Sequence, residues 1–176
     1  MKRPILLTLV GVVLATGAWA DAPTLRTADE ARQLHENLDL VRNLVKGGLL
    51  LAAEDDPLKR ADHCNALATY LASEIEQAAE RHDIDRAAEL GQHLRMMLQH
   101  GVADNVRALK GDVQPGSVRD QQLGQLSKNV RQVLDTLESH LRKGGDINSD
   151  QIGLTLQAVR DGKEDVEQAL RFGESE

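Results

Sequence analysis

Between Asp56 and Leu109 the apolar positions fall into two runs with helical spacing. Ala61, Cys64, Ala68, Leu71, Ile75 and Ala78 alternate three- and four-residue steps, which places them on one face of a helix. After the polar stretch Arg81-His82-Asp83-Ile84-Asp85 a second stripe follows, made of Ala87, Gly91, Leu94, Leu98 and Gly101. Asp56-Pro57 opens the first run with an acceptor side chain and a proline whose missing N–H costs nothing at the first helical position. The pair predicts a helical hairpin whose small residues let two backbones approach closely.

Upstream, Leu34, Leu38, Val41 and Val45 form a stripe that continues through Gly48 to Ala52, with Thr27 and Glu30 spaced as a capping box. Gly47-Gly48 interrupts it, and two glycines inside a helix cost about 2 kcal/mol relative to alanine. The apolar phase survives the pair, and Glu54-Asp55-Asp56-Pro57 is the better terminator, so one continuous helix is expected. On that reading, Gly47→Ala would stabilise the chain by up to ~1 kcal/mol.

Downstream, Gly111-Asp112-Val113-Gln114-Pro115-Gly116 is a loop, and Ser117 with Asp120 starts the next helix. Leu123, Leu126, Val130, Val133 and Leu137 then keep a strict three-four spacing until Gly144-Gly145. A last helix from about Ser149 carries Ile152, Leu156, Val159, Val166 and Leu170, with Gly162 inside it. The fold class is therefore all-α, an antiparallel up-and-down bundle of five long helices. The words around the hairpin junction, Ala78-Ala79 and Arg86-Ala87-Ala88, resemble the helix junction of tetratricopeptide repeats. A solenoid needs about three copies to bury a continuous face, and this chain has one.

Length fits a single domain of residues 27–172, preceded by a lead-in at 21–26 and followed by a tail at 173–176. Aromatics make up only 2% of the chain, so Leu, Val, Ala and Ile must fill the core. Residues 1–20 read as an address. Lys2-Arg3 is a positive start, Ile5 to Ala15 an apolar core, and Ala18-Trp19-Ala20 a small-x-small cleavage site before Asp21. An apolar run of about 11 residues falls short of the ~20 that a spanning helix requires. Cleavage would remove Trp19, the one tryptophan, and leave 19 basic against 28 acidic side chains, a charge of −9. That balance argues against nucleic acid and anionic membranes as partners.

The candidate chemistry is sparse. Asp146-Ile147-Asn148-Ser149-Asp150 resembles the start of an EF-hand or dockerin calcium loop, with oxygens at positions 1, 3 and 5. Gln151 replaces its turn glycine and Gln157 its bidentate acid, so a solvated loop with a helix cap is the simpler reading. His93, Met97 and His100 lie within ~60° of one another on a helix and offer ligands that copper accepts, but both histidines sit about 100° off the apolar stripe. His35 with Asp39, and His82 with Asp83 and Asp85, are ligand fragments that capping and solvation also explain. Cys64 lies on the core stripe, which favours packing over an intermolecular disulfide, and His63 beside it points ~100° away. The Gly-x-Ser-x-Gly, His-Glu-x-x-His, phosphate-loop and Cys-x-x-Cys-His patterns are missing from the sequence.

These observations support an exported, non-enzymatic bundle with no assigned catalytic, cofactor or metal residue. It would act on an unidentified protein partner as an interaction, regulatory or chaperone-like module, with self-association one form this could take. No membrane insertion is expected after cleavage. The alternative is a periplasmic metal-binding or metal-sensing bundle.

Overall fold

The computed structural model describes residues 28–109, 111–144 and 150–171, all of them helix or short connection. The helices are α1 (Ala28–Ala53), α2 (Pro57–Glu80), α3 (Ile84–Met96), α4 (Asp104–Ala108), α5 (Val118–Gly144) and α6 (Asp150–Leu170). Between α3 and α4, Met97–Ala103 forms a π-helical turn, so α3, this turn and α4 make one continuous arm. No helix among the described residues is long and apolar enough to cross a membrane. The address at 1–20, the lead-in, the Thr27 cap, the calcium-like loop at 146–149 and the tail lie outside the described residues.

The caps follow the sequence. Asp56 accepts from the Leu58 N–H and also receives the Arg119 guanidinium, both at 2.9 Å. The turn between α2 and α3 closes with two bonds, Asp83 N–H to the Ala78 carbonyl and His82 N–H to that of Ala79. This is a Schellman motif, and His82 occupies its left-handed position at φ 61°. Gln114-Pro115-Gly116-Ser117 is a turn in which Gly116 takes φ 77° and Ser117 N–H bonds to the Gln114 carbonyl.

Packing divides the chain into residues 1–38 and 39–176. In the first unit the described part, 28–38, is helical, and Leu34 and Leu38 are about half exposed. The second unit holds the bundle. Every residue of the predicted α2 stripe is buried there, as are Ala87, Leu90, Leu94 and Leu98 along the α3 arm, while Gly91 lies against Thr155. On α5 the core positions are Leu123, Leu126, Val130, Leu134, Leu137 and Leu141. Leu134 thus replaces the expected Val133, which is half-buried.

The arrangement of neighbours departs from the expected one. Successive arms reverse direction, but Gly91 meets Thr155 and Gly162 meets Leu98, so the α3 arm and α6 run parallel. Asp56 meets Arg119 and Glu76 meets His140, so α2 and α5 run parallel too. Antiparallel contacts occur within each hairpin: Glu74 with Arg86, and Asp135 with Lys163. The bundle is therefore two hairpins stacked side by side in one register, the same offset along the chain joining Glu76 to His140, Gly91 to Thr155 and Leu98 to Gly162. Gly91 and Gly162 make the α3–α6 seam possible. A methyl on Gly162 would stand 2.7 Å from Leu98 Cδ1, and one on Gly91 3.1 Å from Thr155 Cγ2.

The helix α1 is continuous through Gly47-Gly48, as its phase predicted. Its buried face is not the predicted one. Leu40 and Leu51 pack against the core and Gly47 is buried against Leu67, whereas Val41 and Val45 are exposed. The physical reason is that α1 has two apolar stripes about 120° apart at 100° per residue, and the one containing glycine permits the closer approach.

Candidate functional site

Three places in the bundle unit hold side chains that packing alone does not account for. The first is the outer face of α1, where Val41, Val45 and Leu49 recur every four residues and are 55%, 57% and 68% exposed. Gly48 lies beside them with open space where a side chain would stand. A helix apolar over most of its circumference is ordinarily covered on most of it. Among the described residues, only the Leu40, Gly47 and Leu51 side of α1 has neighbours to pack on.

The second place is the polar cluster beneath α1. Glu74 and Arg86 pair at 3.6 Å with both side chains almost fully buried. Burial pushes the Tyr70 phenol up from its ordinary range, a hydrogen bond with Asn43 works against this, and Glu74 and Asp39 add to it. The cluster links α1, α2 and α3 through groups that cannot be taken from water singly. Breaking such a pair from one side costs about 3 to 5 kcal/mol, so its first effect is to fix how these helices sit.

The third place is a groove of about 410 Å³ between α2 and α5. Asn65, Thr69 and Ser73 line one wall, and Asn129, Gln132 and Thr136 line the other. At one end the Glu76 carboxylate meets His140 Nδ1 at 2.9 Å, and a smaller hollow of about 210 Å³ continues past that pair towards Lys143. Asn65 is only 8% exposed, yet its side-chain amide has no hydrogen-bond partner among the described residues. Its backbone carbonyl, by contrast, accepts from Thr69 Oγ1 at 2.9 Å.

No family model, curated protein or solved structure matches this chain. Its function therefore rests on these three places and on the predicted ligand residues.

The predicted ligand residues are kept apart. His93 is more than half exposed and faces Glu89 at 4.0 Å, while His100 bonds Asp104 at 3.1 Å. Met97 lies inward, its Sδ 3.1 Å from where a Gly101 methyl would stand. The π turn begins at Met97, so the even helical face assumed for the triplet does not exist. Asp104 is held below the usual carboxylate range, first by His100 and then by Arg107, with burial opposing. Cys64 is buried, packed where a Gly101 methyl would come within 2.7 Å of its Sγ, and burial raises its thiol. Among the described residues no group of three or more His, Cys, Asp or Glu side chains could hold a metal ion.

Sequence reasoning missed the groove because its two walls lie on helices that are not consecutive in the chain. A signal was present. Asn65, Thr69 and Ser73 at four-residue steps, and Asn129, Gln132 and Thr136 at three and four, are uncharged stripes in a chain where 28% of residues carry charge.

Proposed function

We propose that this is an exported protein that works by contact, docking an amphipathic helix of a partner protein on the outer face of α1. The observation that carries the reading is the exposure of Val41, Val45 and Leu49 on a helix whose opposite side is packed. Aliphatic side chains at four-residue spacing match the apolar face of a second helix, the usual content of helix-to-helix recognition. The acidic balance of the chain after residue 20 makes an anionic lipid surface the poorer occupant. The reading assigns no catalysis, because its working part is a surface. Export rests on the residues at 1–20, and cleavage before Asp21 is part of the proposal.

The test pairs wild type with Val45→Asp/Leu49→Asp, two exposed positions whose change leaves the core untouched. Wild type, cross-linked in its native envelope, is expected to retain a partner that the double variant loses, with the thermal unfolding of the two indistinguishable. Retention of the same partner by both would overturn the reading. The exported form should also begin at Asp21 by mass and show tyrosine emission only, from Tyr70.

A further inference from the structure

We infer that the groove between α2 and α5 is a binding site for an extended peptide segment, held through the ligand's main chain. The inference concerns a different surface from α1 and stands or falls without it.

Four features define the occupant. Asn65 is more than nine-tenths buried as a residue and lines the groove, and its amide lacks a partner among the described residues while still reaching solvent, so an acceptor and two donors remain for a ligand. A primary amide pairs with a peptide unit through one donated and one accepted bond. The lining continues with the hydroxyls and amides of Thr69, Ser73, Asn129, Gln132 and Thr136, again able to donate and accept, with Ala72 and Val133 among them and a single charge, the Glu76 carboxylate, at the end. That excludes a phosphate or other strongly ionic ligand as the natural fit, and with no aromatic ring in the walls there is no platform for a sugar.

Spacing then selects the peptide's shape. The rows at Asn65, Thr69 and Ser73 are four residues apart, or about 6 Å at the helical rise. Same-side groups of an extended chain recur every two residues, about 6.6 Å. From Asn65 to Glu76 the groove runs about 16 Å, the length of roughly five extended residues. A helical ligand fails on two counts. Its main chain is already satisfied internally, and a body at least roughly 10 Å across cannot enter between two helices in contact to reach Asn65. The Glu76–His140 pair closes one end and sets a limit to the length read.

The probe is a phage-displayed random heptapeptide library panned on the full protein, with enriched peptides resynthesised and titrated by calorimetry. Asn65→Leu is expected to weaken binding at least tenfold. Gln132→Leu, at an exposed position, is expected to weaken it severalfold and serves if Asn65→Leu does not fold. N-methylation along the peptide should abolish binding at alternate positions only, a readout that side-chain recognition would not produce. Enrichment of no peptide, equal binding by wild type and both variants, or a loss that ignores alternation would each overturn the inference. Binding to a glycan array in place of peptides would do the same.

Discussion

Gly47 and Gly48 are neighbours in one helix, yet the structure predicts opposite responses to the same substitution. Removing a glycine from a helix interior in favour of alanine is worth about 0.8 to 1 kcal/mol at either position. At Gly48 nothing lies within 4 Å of the added methyl, so the full gain is expected. At Gly47 the methyl would stand 2.5 to 2.9 Å from Cδ2, Cδ1 and Cγ of Leu67, a buried side chain that must leave its position. Such overpacking costs about 1 to 3 kcal/mol, which cancels or reverses the gain. This corrects the expectation from spacing alone that Gly47→Ala stabilises. Urea unfolding followed by far-ultraviolet circular dichroism gives the comparison, with Leu67→Ala as a third background. Leu67→Ala alone should cost about 2 to 5 kcal/mol. In its presence Gly47→Ala should become stabilising, because the space is then open, and the cycle should return a coupling of about 1 to 3 kcal/mol. Equal stabilisation by Gly47→Ala and Gly48→Ala in the parent chain would refute the packing of α1 against Leu67.

His82→Gly should raise stability by up to ~1 kcal/mol in the same assay, since glycine takes the left-handed position at no steric cost. Leu94→Ala and Leu137→Ala, both fully buried, should each cost about 2 to 5 kcal/mol, and a near-zero effect would mean these faces do not meet. Acid should destabilise the fold as three carboxylates lose their partners. Asp56 is lowered first by the Leu58 N–H, then by Arg119 against burial, and Asp104 by His100 and Arg107. At Glu138 burial raises the carboxyl, but Arg160 and Arg142 outweigh it, and the net direction is down. A folded pKa below the unfolded one gives stability that is present above the ordinary values of 3.8 and 4.5 and is lost as pH falls through the folded values. Thermal midpoints measured from pH 6 to pH 2 should fall below about pH 4, with a shallower fall in Asp56→Asn, which keeps a cap but loses the charge.

How much of this was legible turns on how many apolar choices each helix offers. On α2 the stripe is legible because most positions between its members are polar or small, and every member is buried; the exception, Leu67, is buried too, under α1 at Gly47. On α1 two aliphatic stripes compete and periodicity cannot rank them; the deciding residue is Gly47, which allows the closest contact. On α5 Val133 and Leu134 are adjacent and both apolar, and only the parallel position of α2 separates groove from core. Across Leu94, Leu98, Val102 and Val106 the steps are four, four and four. In a regular helix these would swing by about 120°, and a π turn returns about 100° of that by absorbing one extra residue. The repeated four-residue step was the visible sign of the π segment. The groove needs α2 to find α5 across the whole intervening arm, a pairing that no local pattern encodes.

The two parallel seams of the stacked hairpins are unequal. Glycines draw α3 and α6 together, while hydroxyl and amide side chains leave α2 and α5 with a channel between them. One methyl at Gly91 or Gly162 is enough to strain the first seam, whereas changes along the rim of the second, at the exposed Thr69 or Thr136, leave the leucine interior untouched.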